Sequence, residues 1–251
     1  MNKILEEFKL DGNVAVVTGC GSSWLKELAA SLAQAGAKVV LAAPDGEEVT
    51  KIAVAIQHEG QEVSCIPTDL TCAQEIESVV EQTISRFGRV DILVNNLNLE
   101  FWKGLLDMIE KEWHEVIDAN LTSALLCCRA VGRRMVEQKA GSIVNIVSGL
   151  AERGLPNGTA YCASMGGVLQ LTRALALEWA RQGVRVNAIG VGWSAGTVME
   201  AERDAIAHYI PMQCRVRPED VTPLVVFLAS KASSYLNGNI YLVDGGLMAR
   251  G

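Results

Sequence analysis

The chain has 251 residues, 49% hydrophobic and 20% charged, enough to bury a large core and at the upper end of one-domain sizes. Its formal net charge of −7, without a long Lys/Arg cluster, gives no electrostatic footprint for nucleic acid or an anionic membrane. No apolar run reaches the roughly 18–20 residues of a membrane span, and the start MNKILEEFKLDG lacks the apolar core and cleavage site of a signal peptide, so a soluble cytoplasmic protein is expected.

Seven short β-branched runs recur along the chain: NVAVVTG, AKVVLA, EVSCIP, VDILVNN, GSIVNIVS, VRVNAIG and NIYLVDG. Between them lie stretches of helical length and periodicity, among them Leu25 to Gln34, Glu47 to His58 and Ala73 to Phe87. Each parallel strand needs a crossover connection to reach the next, so the alternation predicts an α/β fold: a doubly wound, Rossmann-like parallel sheet of seven strands with helices on both faces. No linker or repeat divides the chain, and residues 1–251 are expected to form one domain. The least regular stretch, 190–217, has the length of a functional loop. Seven cysteines (Cys20, Cys65, Cys72, Cys127, Cys128, Cys162 and Cys214) lack metal-site spacing and are expected to be reduced and buried, with no metal bound.

Several motifs carry a resemblance. IVNIVSGLAERG contains Ser148, thirteen residues before Tyr161, and IDANLTS supplies Asn120. DILVNN, PTDLT and IYLVDGG follow the same frame. In this order the motifs resemble the short-chain dehydrogenase/reductase family, over nearly the whole chain. That resemblance implies catalytic roles for Ser148, Tyr161 and Asn120, cofactor contacts at Gly19, Asp69, Leu70 and Asn95, and a substrate lid over 190–217. Asp69 and Asn95 also have a plainer reading as turn and strand-end residues.

The sequence departs from the family's pattern at several of these places. The family's catalytic Lys, four residues after the Tyr, is Met165. Without that cation Tyr161 loses the main cause of a depressed pKa; at a model value of about 10, about one phenol in a thousand is ionised at pH 7. Arg153 and Arg173 lack the one-turn spacing needed to replace the Lys. In the glycine-rich turn the family's TGxxxGxG meets Ser23 and Leu25, and Leu25 with Trp24 is expected to obstruct the pyrophosphate. Ala43 stands where NAD-dependent relatives place an acid, with Asp45 two residues on past Pro44. No Arg or Lys is offered for a 2′-phosphate. NNAG becomes Asn95-Asn96-Leu97-Asn98, and the family's PG becomes Val191-Gly192, with Thr197 near a nicotinamide-contacting position.

These departures lead to the expectation of a non-catalytic subunit that binds no cofactor itself. It would support an active homologous short-chain dehydrogenase subunit carrying NAD, in a hetero-oligomer expected to be a tetramer. Helices around Glu112 to Glu137 and Thr159 to Gln182, with a stripe of Val168, Leu171, Leu175 and Trp179, would serve that assembly. Such assemblies resemble the hydroxyacyl-CoA dehydrogenase of anaerobic toluene breakdown. The alternatives are a cofactor-independent enzyme using Ser148 and Tyr161, like the halohydrin dehalogenases, and a regulatory dinucleotide-binding protein.

Overall fold

The computed structural model describes residues 3–19, 22–194 and 209–249. Seven strands form one sheet: β1 (Val14–Gly19), β2 (Lys38–Ala43), β3 (Val63–Pro67), β4 (Ile92–Asn96), β5 (Gly141–Ser148), β6 (Val184–Val191) and β7 (Ile240–Val243). Their order is β3-β2-β1-β4-β5-β6-β7, and every neighbouring pair is parallel. The strands are short apolar runs because both faces of the sheet are covered, as parallel sheets require. In β1 all six residues are buried.

After a short first turn, α1 (Lys3–Glu6), the helices are α2 (Ser22–Gln34), α3 (Gly46–His58), α4 (Ala73–Phe87), α5 (Glu110–Ile117), α6 (Ser123–Gln138), α7 (Thr159–Trp179) and α8 (Pro218–Ala229). Local chemistry sets several of their ends. Asp45 caps α3, Gly88 closes α4 at φ +78° with its N–H on the Ile84 carbonyl, and Pro218 opens α8, where no helical N–H is needed. The long helix expected from Glu112 to Glu137 is instead α5 and α6 joined by a π turn, Asp118–Thr122. Hydrophobic spacing does not reveal one inserted residue in a turn, and such bulges gather at functional sites.

Two apolar cores form, one on each face of the sheet. Along β1, Ala15 and Val17 enter the core under α2, α3 and α8, and Val16 enters the one under α4, α6 and α7. Val168 is buried in the second core, and Leu171, Leu175 and Trp179 pack against it. This stripe therefore covers the chain's own interior. Trp179 reaches α6 where Gly132 leaves space; a Cβ there would stand 2.5 Å from its ring.

Of the cysteines expected to be buried, only Cys127 and Cys128 are; Cys65, Cys72 and Cys162 are half-buried and Cys214 is exposed, and all six are free thiols. Burial pushes the Cys128 thiol up to about 12 and raises Cys127 as well. Cys20 lies outside the described residues, as do residues 195–208 of the expected lid, Thr197 among them. Among the described residues no group of His, Cys, Asp and Glu could hold a metal, and no helix is long and apolar enough to cross a membrane.

Candidate active site

Strand order reverses between β1 and β4, and in such sheets ligands bind in the crevice beyond the carboxyl ends of the strands at that point. Gly19 ends β1 and lies in register with Asn96 at the end of β4. A Cβ at Gly19 would stand 2.6 Å from the Asn96 carbonyl oxygen, so only glycine lets the two strand ends approach. Helix α2 starts at Ser22, just past Gly19, so the positive end of its dipole faces this edge of the sheet, the kind of end that favours an anion.

Obstruction of that end by Leu25 is not what the fold produces. Leu25 is 1% exposed and packs in the core with Leu28 and Leu32; Trp24 packs against the same cluster. Burying such a leucine stabilises the fold by about 1.5–3 kcal/mol, which fixes the rotation of α2 and keeps the side chain out of the crevice. Leu97, where the family has a small residue, is likewise buried, in the core on the opposite face. The side chain of Ser23 lies outside the described residues.

At the end of β2, Ala43 is buried. The Asp45 carboxylate does not bend back toward it; it accepts the Glu47 and Glu48 backbone N–H groups at 3.0 Å each. Asp69 accepts the N–H of Thr71 at 2.9 Å and its hydroxyl at 2.7 Å, and these bonds lower its pKa. Leu70 is buried in the core beside it. Asn95 belongs to a buried ladder across the sheet. It accepts the Thr18 hydroxyl at 2.8 Å and donates to Asn145 at 2.9 Å, and Asn145 donates to Thr172 of α7 at 2.8 Å.

Ser148 ends β5 opposite Val191 of β6. Its hydroxyl accepts the Leu150 N–H at 3.2 Å. Val191 continues β6, and Gly192 beyond it approaches the chain after β7 so closely that a Cβ would lie 2.7 Å from Asp244 Cα. Tyr161 sits in the first turn of α7, 4% exposed. Its hydroxyl donates to Asn98 Oδ1 at 2.7 Å, and its ring lies against Trp102, with centroids 5.5 Å apart at 51°. Trp102 in turn sits over Gly158, where a Cβ would come within 2.9 Å of the indole.

Met165 is 1% exposed in the same core as Tyr161 and brings no charge. Arg153 is exposed, and Arg173 pairs with Glu152 at 3.4 Å. The Tyr161 pKa is pushed well above the ordinary phenol value, first by burial, then by the Glu100 carboxylate; Ser148 pulls it down and Cys162 pushes it up. Asn120, in the π turn, accepts the Leu99 N–H at 2.7 Å and donates to the Leu99 carbonyl and the Ser164 hydroxyl at 3.0 Å each. It ties the segment after β4 to α7.

Three residues that motif reading overlooked complete the site: Asn98, Glu100 and Trp102. Asn98 was visible only as the loss of a glycine, and its bond to Tyr161 spans 63 residues of sequence. Glu100 is half-buried, and burial raises its pKa against the opposing hydrogen bonds from Asn98 and Trp102. A raised phenol pKa leaves little tyrosinate to act as a base and keeps the proton on the Tyr161 hydroxyl.

A family model described as enoyl-(acyl carrier protein) reductase matches residues 21–248. The chain is 35% identical over 242 residues to a 3-oxoacyl-[acyl-carrier-protein] reductase of Synechocystis, covering 95% of this chain and 98% of that protein. It is 35% identical over 254 residues to the 2-dehydro-3-deoxy-D-gluconate 5-dehydrogenase of Escherichia coli, covering 98% and 100%. A gluconate 5-dehydrogenase from Burkholderia cenocepacia, solved with NADP and tartrate, superposes with a TM-score of 0.92 at 29% identity, over 98% of this chain and 99% of that one. These relatives overturn two expectations, that the chain is a non-catalytic subunit and that it holds no nucleotide of its own. Full-length relatives are named as dehydrogenases and reductases, and one holds NADP in the same fold. The seven-stranded fold, the match over residues 21–248 and the full-length identities agree: the chain belongs to the short-chain dehydrogenase/reductase family.

Proposed function

We propose that the chain is a nicotinamide-dependent oxidoreductase that works as a carbonyl reductase, with Tyr161 as proton donor. The observation that carries this reading is the buried Tyr161 hydroxyl, which donates to Asn98 Oδ1 at an oxygen–oxygen distance of 2.7 Å beside Ser148 at the carboxyl edge of the sheet. The crevice fits a dinucleotide: Gly19 has no Cβ, Leu25 and Leu97 turn into the cores, and α2 presents its N-terminus. Gly19 and the first turn of α2 would hold the pyrophosphate, with Asp69 and Leu70 at the adenine. Asp45, Glu47 and Glu48 surround the turn after β2, and Lys51 already pairs with Glu47 at 3.5 Å, so NAD suits that end better than a 2′-phosphate.

A nicotinamide held there would supply the hydride. Ser148 offers its hydroxyl to the substrate oxygen, and Tyr161 gives up its proton as that oxygen gains charge; the phenolic O–H breaks, the alcohol O–H forms, and water returns the proton to Tyr161. Asn120 holds the wall of the site by clamping Leu99 to Ser164.

The test is NADH consumption by the purified chain with a panel of ketones, including 5-keto sugar acids and 3-oxoacyl thioesters, at pH 6–7. Turnover is expected, and Tyr161→Phe should lower it by at least about a hundredfold, the usual size of a lost general acid. A folded wild-type chain that consumes no more NADH than Tyr161→Phe across the panel would overturn the reading.

A further inference from the structure

We propose that Glu100 is a positioning residue, acting through the Asn98 amide to keep the proton on Tyr161 Oη. This rests on the reading of Tyr161 as proton donor and deepens it. An ionised carboxylate only accepts hydrogen bonds, so Glu100 takes the Asn98 Nδ2–H group, at 3.4 Å, and thereby decides which end of the amide faces it. The other end, Oδ1, then faces Tyr161, and an amide oxygen can only accept. Tyr161 must therefore donate, and its proton stays on the phenol, directed at Asn98 Oδ1, until a substrate oxygen competes for it.

The two bonds reinforce each other. Drawing the amide N–H toward a negative charge makes the amide oxygen a stronger acceptor for the phenol. Burial of the ring opposes a tyrosinate most, and the Glu100 charge opposes it directly as well. Where a cation one turn along α7 would stabilise the ionised phenol, this site has an apolar Met165 and an acid on the facing loop.

Among the described residues, no cation acts on Tyr161 against this arm. On α7, Cys162 pushes in the same direction as Glu100. At the end of β5, the Ser148 hydroxyl pulls the other way by its hydrogen bond, and in the turn beyond it Arg153 is exposed. Glu152 in that turn and Arg173 on α7 pair with each other. Lys103, three residues from Glu100, has its ammonium on the Glu112 carboxylate of α5 at 2.7 and 2.9 Å, so that cation is engaged elsewhere.

The experiment titrates Tyr161 itself. The near-ultraviolet absorbance of tyrosinate is followed against pH in the full chain, with Tyr161→Phe subtracted and circular dichroism confirming the fold at each pH. Glu100→Gln is expected to give about a tenfold larger tyrosinate fraction than wild type at a given pH, the equivalent of a one-unit shift. Asn98→Ala should produce a shift of its own, and adding Glu100→Gln to it should have a clearly smaller effect than in wild type, since the relay is already cut. Asn98→Ser repeats the cycle if the alanine variant does not fold. An unchanged titration in Glu100→Gln would overturn the proposal, and so would a Glu100→Gln shift that persists in full without Asn98. The titration needs no substrate or cofactor, so it is decided separately from the turnover assay.

Discussion

Met165 places a thioether where an ammonium would favour the ionised phenol, and the consequence is a difference in pH dependence between the two directions of the reaction. A raised Tyr161 pKa keeps the proton in place, so carbonyl reduction should be nearly independent of pH across the neutral and mildly alkaline range. Alcohol oxidation requires the tyrosinate and should rise about tenfold per pH unit over the same range. Met165→Lys tests the cause. A cation one turn from the phenol lowers its pKa by about 1–3 units, so oxidation at pH 8 should increase by at least about tenfold and its profile should level off at lower pH. Initial rates in both directions, with a thermal melt to confirm that the buried lysine is tolerated, provide the measurement. An oxidation profile that does not move would show that Tyr161 is not the group being titrated.

At the scale of elements, β1 and β4 meet where Gly19 faces the Asn96 carbonyl, and this contact shapes the crevice floor. Gly19→Ala would place a Cβ 2.6 Å from a backbone oxygen that has no freedom to swing away. We expect a loss of about 1–3 kcal/mol in stability by urea unfolding, the range for overpacked sites, with weaker NADH binding because the strand ends must separate. Most elements were legible in the sequence. The β-branched runs locate all seven strands, and Ala73–Phe87 is the helix that its length and periodicity suggest. The inward turn of Leu25 was legible too, since Leu25, Leu28 and Leu32 recur at the spacing of one helix face, but the family's glycine pattern drew attention to what was missing there. The π turn at Asn120 and the reach of Asn98 to Tyr161 were not legible. One depends on a single extra residue in a turn, the other on a tertiary contact that no local pattern encodes.

For the whole molecule, the sheet ends in an edge at β7, whose residues are less covered than those of the inner strands. A strand edge with apolar side chains is a place where another chain can pair or pack. Leu242 on β7 is 39% exposed, Leu177 near the end of α7 is 83% exposed, and Tyr235 in the chain leading to β7 is fully exposed. Asn237 binds the Ala176 carbonyl at 2.9 Å, which holds the end of α7 beside that chain. We propose that this end of the molecule meets a subunit of the same fold. The stripe of Val168, Leu171, Leu175 and Trp179 is occupied by the chain's own core, so Leu177 and Leu242 are the better residues to change. Leu177→Glu with Leu242→Lys puts opposite charges on this edge; because Leu242 also rests against Gly190, the monomer is expected to lose about 1 kcal/mol, within the usual range for a single substitution. In light scattering the wild type should exceed the 27.0 kDa of one chain, and the double variant should fall toward it. A wild-type chain that already runs at the mass of one chain, or a double variant that keeps the full assembly, would remove this edge as the contact.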